Sequence, residues 1–308
     1  MRNLLGVLVV VLVSSLSATA DVKIDPALGD FLYGLGTESK KRVLVVLDSS
    51  AERIEAPQKY QRRDVVRFLQ ARARASWREV ALYLDQKGAF DKKSVKVQRI
   101  FWINSSLTAD VTREGLQTIA SAPLVRKIYL NRSGNFDRPL QRSKRRPQRD
   151  NDTYQYSFKD MGLDRLIAEQ PKITGDGIVI GSVDTGVDGA HPALNGKIQT
   201  FYDASQKKIT DPTDGDGHGT HTAGTMVGGT REGNAIGMAP GAKLIAAGGL
   251  DDYDSIIRGM EFMLDPDSNP TTTDMPRAVN NSWNCGGAPD IELFYRAISS
   301  WEAAGVLP

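Results

Sequence analysis

The 308 residues leave room for two domains, and a single cysteine excludes an intrachain disulfide, so stability rests on core burial, with bound ions the other available source. The formal net charge of +2 conceals an uneven balance. Residues 21–150 carry 27 Lys and Arg against 15 Asp and Glu, a net of +12, whereas residues 151–308 carry 11 against 22, a net of −11. A nucleic-acid footprint is one reading of the basic part, but no recognition motif accompanies it. Two oppositely charged parts of one chain point instead to electrostatic complementarity with each other, and no nucleic-acid partner is expected.

Met1-Arg2-Asn3 followed by Leu4 to Val13 gives a charged start and an apolar core too short to span a bilayer, and Ala18-Thr19-Ala20 supplies an A-x-A cleavage site. Residues 1–20 therefore read as a signal peptide, with an uncleaved anchor as the alternative. The mature chain is expected to begin near Asp21 and to be secreted or periplasmic. No other segment is apolar enough to span, so no membrane association is expected after signal removal.

Residues 42–131 read as a small α/β unit. Arg42 to Leu47 is an apolar strand, and Val65, Leu69, Ala73, Trp77, Val80 and Leu84 form a stripe at spacings of four and three, as on an amphipathic helix. Val95 to Ile103 is a second strand and Ser106 to Asp110 a third. Thr112 can cap a short helix carrying Leu116 and Ile119, Pro123 ends it, and Val125 to Leu130 closes the set. The order β-α-β-β-α-β is that of a split βαβ, a ferredoxin-like α+β domain. Residues 132–153 lack apolar periodicity and hold Arg138, Arg142, Lys144, Arg145, Arg146 and Arg149. Such a run is solvated and extended, which makes it a linker and a ready proteolytic site.

From Tyr154 the pattern alternates strands and helices. Gly177 to Val183 is rich in β-branched residues and reads as a strand buried on both faces, ending on Asp184 before Thr185-Gly186. A helix is expected over Phe158–Glu169, a strand over Lys197–Tyr202, a helix from His218, a helix over Ser255–Leu264, a strand over Ala278–Ser282 and a helix over Ile291–Ala304. Short connections between alternating elements predict an α/β, doubly wound, mostly parallel sheet covered by helices. A carboxylate at the carboxyl end of a parallel strand stands where such sheets place their chemistry. An Asp that holds one imidazole nitrogen while the other faces a nucleophile is half of a hydrolase relay.

Val183-Asp184-Thr185-Gly186-Val187-Asp188 and His218-Gly219-Thr220-His221-Thr222-Ala223-Gly224-Thr225 together resemble the Asp and His motifs of the subtilisin-like serine proteases, peptidase family S8, in the family's order. Residues 237–247 resemble the loop and strand that follow the His helix in that family. The resemblance implies that His218 is general base and then general acid, and that Asp184 orients and stabilises it. It also makes the segment ending at residue 131 look like the inhibitory propeptide of the bacillopeptidase F group, bound to its own catalytic domain. The resulting organisation is signal peptide 1–20, propeptide 21–131, basic linker 132–153 and the N-terminal half of a catalytic domain over 154–308.

Val279-Asn280-Asn281-Ser282-Trp283-Asn284-Cys285-Gly286-Gly287 resembles the family segment that pairs with a polypeptide substrate and walls its primary pocket. By that resemblance Ser282, Trp283 and Asn284 are substrate contacts and Gly248 contributes the facing wall; a core role is the other reading of Trp283. Cys285 lacks the surroundings of a cysteine nucleophile and reads as a packed thiol. The family's oxyanion Asn and nucleophile Ser belong to segments later than Pro308, so an incomplete catalytic domain is expected, inactive as it stands and with an apolar sheet edge exposed.

No cofactor is required. The family often carries structural calcium, but His191-Pro192-Ala193-Leu194 has Ala where one ligand would stand; Asp211, Asp214 and Asp216 form an acidic loop that either holds a cation or is simply solvated. His218 and His221 as metal ligands, Asp251, Asp252 and Asp254 as acids selecting basic side chains, and a non-catalytic protease inhibitor built on the first domain are the remaining alternatives.

Overall fold

A computed structural model of the protein describes residues 24–34, 40–48, 61–133, 156–231, 234–283 and 291–308. The expected signal peptide, nearly all of the linker, Asn284 and Cys285 lie outside the described residues. The chain divides into two compact units, Met1–Glu55 with Phe68–Arg132 and Ala56–Arg67 with Ser133–Pro308.

The first unit contains α1 (Gly29–Tyr33), β1 (Lys41–Leu47), most of α2 (Arg62–Gln86), β2 (Val95–Phe101), β3 (Ser106–Val111), α3 (Arg113–Ala120) and β4 (Val125–Leu130). Its four-stranded sheet has the order β2-β3-β1-β4, with antiparallel neighbours throughout. β1 is central, so its Val43 to Leu47 run is buried on both faces, which explains why it reads as continuously apolar. Val45 lies opposite Leu107 on one side and Ile128 on the other. Val80 and Leu84 from α2 and Leu116 and Ile119 from α3 complete the core. Thr112 caps α3 by accepting from Gly115 N, as expected. β2 stops at Phe101, two residues before the expected end, because Trp102 to Ser105 turn the chain and Ser105 adopts a positive φ of 51°.

The second unit contains α4 (Tyr156–Asp160), α5 (Leu163–Glu169), β5 (Val179–Val183), β6 (Ile198–Asp203), β7 (Lys208–Ile209), α6 (His218–Val227), β8 (Thr230–Arg231), β9 (Asn234–Ala235), β10 (Lys243–Gly248), α7 (Tyr253–Leu264), β11 (Ala278–Asn280) and α8 (Ile291–Ala303). The main sheet has the order β11-β5-β10-β6-β7. β11, β5, β10 and β6 run parallel, and β7 alone is antiparallel.

Helices cover both faces of this sheet. Ala223 and Val227 of α6 pack with Leu244, Ala246, Phe201 and Ile180 on one face. On the other, a Cβ on Gly181 would meet Met263 Sδ of α7 at 2.9 Å, and one on Gly259 of α7 would meet Ala247 Cβ at 3.1 Å. Strand period two therefore puts Ile180, Ser182 and Asp184 on the α6 side and Gly181 and Val183 on the α7 side. Trp301 of α8 is fully buried and donates from Nε1 to Met260 O at 2.9 Å, fastening α8 to α7.

Three expectations are corrected. The helix expected over 158–169 is two helices, broken at Gly162, whose φ of 72° no continuing helix accepts. The strand expected to reach Ser282 ends at Asn280. The edge beyond β11 is partly covered by the chain itself: Val279 N donates to Leu307 O at 2.8 Å and Leu307 N to Arg277 O at 3.0 Å, in a parallel bridge. Among the described residues, no helix is long and apolar enough to cross a membrane.

Candidate active site

Asp184 extends β5 by one residue: its N–H donates to Ala247 O at 3.0 Å, carrying the β5–β10 ladder to the carboxyl rim of the sheet. Here the chain must turn away beneath the start of α6. Gly186 has a φ of 152°, and a Cβ there would stand 2.2 Å from Thr213 O, so only glycine fits. Gly248, at the end of β10, faces the same turn; a Cβ on it would meet Gly186 Cα at 2.7 Å. Gly219, in the first turn of α6, has Gly186 O 2.1 Å from where its Cβ would be. Three glycines thus let two strand ends and one helix start close on a single point.

At that point His218 Nδ1 lies 2.6 Å from Asp184 Oδ1. The carboxylate is 1% exposed and the imidazole side chain 10% exposed. Asp184 Oδ1 also accepts from Thr185 N at 2.7 Å, and Oδ2 from Thr222 Oγ1 at 3.1 Å. Among the described residues His218 Nε2 has no hydrogen-bond partner. A buried carboxylate on Nδ1 favours the tautomer whose proton sits there, leaving Nε2 to act as a base and stabilising the imidazolium that results.

The start of α6 is held by side chains from two loops. A helix leaves its first N–H groups without partners inside the helix. Here His218 N donates to Asp216 Oδ1 at 3.3 Å, Gly219 N to Thr185 Oγ1 at 2.9 Å and Thr220 N to Asp214 Oδ2 at 2.8 Å. Asp214 also accepts from Thr220 Oγ1 (2.6 Å), Thr185 Oγ1 (3.0 Å), Gly217 N (3.0 Å) and Asp216 N (3.1 Å). Burial raises the Asp214 carboxyl's proton affinity, but the bonds from Thr220, Gly217 and Asp216 outweigh it and hold the group below its ordinary range. Of the acidic loop, Asp214 is thus held by five donors, whereas Asp211 and Asp216 are exposed. Sequence reasoning named Asp214 only as a member of the acidic loop and Thr185 only within the Asp motif, and missed their part in holding this helix start; the signal was an acidic residue just ahead of it.

The other expected residues are more scattered. Ser282 exchanges hydrogen bonds with Asn280, at 3.0 and 3.2 Å. Trp283 packs edge-on against Phe294 of α8, ring centres 5.1 Å apart, and Phe294 in turn meets Tyr253. Its Nε1 is buried without a partner among the described residues. Asp254 is buried against Arg258 at 2.5 Å, and Asp252 caps α7 through Ser255, so both carboxylates hold structure. Asp251 is exposed, its carboxyl pushed up by partial burial and by the charges of Asp252 and Asp203. His221 is exposed, and among the described residues no group of three or more acidic, His or Cys side chains is arranged to hold a metal ion.

A model of the subtilase family, the S8 peptidases, matches residues 175–307. Bacillopeptidase F of Bacillus subtilis (strain 168) is 29% identical over 305 residues, covering 89% of this chain and 21% of that protein. Subtilisin-like protease 1 of Trichophyton rubrum is 32% identical over 169 residues, covering 47% of this chain and 32% of that protein. Among solved structures, fervidolysin from Fervidobacterium pennivorans, a keratinolytic enzyme related to subtilisin, superposes with a TM-score of 0.51 at 17% identity, over 86% of this chain and 39% of that one. The epidermin leader peptide processing serine protease of Staphylococcus aureus gives 0.50 at 13% identity, over 87% and 57%. These two likenesses concern the fold alone, and the chain spans only about a fifth of bacillopeptidase F. Residues 175–307, which carry both Asp184 and His218, match the subtilase family of subtilisin-like proteases.

Proposed function

We propose that this chain is part of a secreted subtilisin-like serine endopeptidase precursor, with Asp184 and His218 as two members of its catalytic triad. The observation that carries the reading is the 2.6 Å approach of two side chains 34 residues apart, at the carboxyl rim of a parallel sheet, with Nε2 left open. A serine from sequence outside these residues would attack the scissile carbonyl. His218 Nε2 takes its proton and returns it to the leaving amine, while Asp184 keeps the imidazole in the required tautomer.

Residues 21–131 are the propeptide in this reading. It is supported by their separate core, by the β2-β3-β1-β4 order of their sheet and by the opposite charges of the two parts of the chain. Within the second unit, Ser133 pairs antiparallel with Asp252, which supports the segment after β10 as an edge where extended peptide adds as a strand. Ser282, Trp283, Asn284 and Gly248 are then the substrate side of the same cleft. Structural calcium is not part of the proposal. The buried Asp–His couple favours an enzyme over a free-standing inhibitor, which would not need it.

The test is to express the full gene product containing this sequence and treat it with a fluorophosphonate that labels activated serines. The wild type takes up label; His218→Ala loses at least about a thousandfold in rate, the scale on which triad members act. Undiminished labelling of folded His218→Ala refutes the assignment.

A further inference from the structure

We infer that Asp214 is a positioning residue of the Asp184–His218 couple: it ties the turn after β5 to the first turn of α6 and so sets the distance between the two side chains. The inference rests on the catalytic reading of that couple and adds a member to it.

The two reacting side chains sit on different elements, 34 residues apart, and no covalent feature holds those elements in register. What joins them is a set of hydrogen bonds centred on Asp214. Oδ1 accepts from Thr185 Oγ1, the residue directly after Asp184. Oδ2 accepts from the backbone N–H and the hydroxyl of Thr220, two residues after His218. Each threonine then passes the connection on: Thr185 Oγ1 accepts from Gly219 N, and Thr220 Oγ1 accepts from Asp188 N at 2.9 Å. The bridge thus runs from either side of the turn to either side of the helix start. Val187 N donating to Thr213 O at 3.1 Å closes it along the backbone.

The chemistry requires a carboxylate. Five donors converge on two oxygens, and an amide would offer one oxygen and turn N–H groups toward Thr220 N or Gly217 N. Two acids, Asp214 and Asp216, at the positive end of a helix are also favoured by its dipole. Among the described residues Asp214 makes no hydrogen bond to the imidazole; it acts through Thr185 and Thr220.

The experiment uses the full 308-residue chain, labelled with nitrogen-15 on histidine, and reads the Nδ1 proton of His218, assigned by its loss in His218→Gln. A proton held between Nδ1 and a buried carboxylate resonates far downfield and exchanges slowly with water. Asp214→Asn and the charge-neutral Thr185→Val are expected to move that signal upfield and speed its exchange about fivefold to tenfold, the factor set by losing one ordinary hydrogen bond. Thr185→Ser, which keeps the hydroxyl, restores it. A purely structural role would lower the unfolding midpoint and leave the signal of folded molecules unchanged. Wild-type shift and exchange in both folded variants, with the signal abolished by Asp184→Asn, overturns the role of Asp214 alone. If Asp214→Asn does not fold, Thr185→Val and its serine rescue decide the question. A signal that survives Asp184→Asn overturns the catalytic couple, and this inference with it.

Discussion

Two glycines in the same helix should answer opposite ways to the same substitution. Alanine in a helix interior is ordinarily favoured over glycine by about 1 kcal/mol. At Gly224 the space beside the backbone is open, the nearest foreign atom being Ile236 Cγ2 at 4.0 Å, so Gly224→Ala should realise most of that gain. At Gly219 the added methyl would lie 2.1 Å from Gly186 O, 3.0 Å from Gly186 N and 3.1 Å from Asp184 Oδ1. Two of these are backbone atoms of a turn that cannot swing aside, so the helix start must retreat by about 1.3 Å to reach an ordinary 3.4 Å contact. A retreat of that size carries His218 Nδ1 from 2.6 Å to nearly 4 Å from Asp184 Oδ1, beyond hydrogen bonding, and breaks the 2.9 Å bond from Gly219 N to Thr185. Overpacking of this kind costs about 1–3 kcal/mol and each lost bond about 1 more, against a propensity gain of about 1, for a net loss of about 2–4 kcal/mol. Urea unfolding followed by tryptophan fluorescence measures both variants, and the downfield Nδ1 proton of His218 reports the site in the folded state. A Gly219→Ala protein as stable as Gly224→Ala, with that proton unchanged, refutes the claim that α6 is seated directly on the Asp184 turn.

Two further predictions concern pH. Asp265, at the end of α7, has its carboxyl pushed up to about 6 by burial and by the charges of Asp267, Asp274 and Glu261, and its Oδ1 is buried with no partner among the described residues. Because the folded value lies above the unfolded one, its contribution is fully present below about pH 4 and lost as pH rises through about 6; Asp265→Asn should remove that decline, seen as a flatter thermal-unfolding profile between those values. Asp25 behaves in the opposite sense. Burial raises its proton affinity, but bonds from Ala27 N, Arg132 and Leu130 N outweigh this and leave the carboxyl below its ordinary range. Its contribution is therefore present above about pH 4 and lost as pH falls through the lowered folded value. Asp25 is 3% exposed, and Arg132 Nη2 reaches its two oxygens at 2.7 and 2.8 Å. Asp25→Asn should cost the first unit about 1–3 kcal/mol at pH 7 and little in acid; an equal loss at both pH values refutes the pairing as the cause.

What sequence alone determined is local. β-branched runs mark β1 and β5, a stripe at spacings of three and four marks α2, and Thr112 marks the start of α3, because burial, period and capping act through neighbours in the chain. Asp184 and His218 are legible because their two motifs, in order, resemble those of the subtilisin-like proteases, and because Asp184 closes a β-branched run while His218 heads a run of small residues that lets a helix pack closely. The strand order β11-β5-β10-β6-β7 was not legible, since β5, β10 and β6 are all short and pairing among them depends on which faces α6 and α7 cover. Nor was the part played by Asp214, whose partners Thr185 and Thr220 lie 29 residues before it and six after it. Read along the chain, it is one acid among several in a polar loop. Only the closing of the β5 turn onto the start of α6 gathers five donors around it, because hydrogen bonds depend on distance in space, which the order of residues does not record.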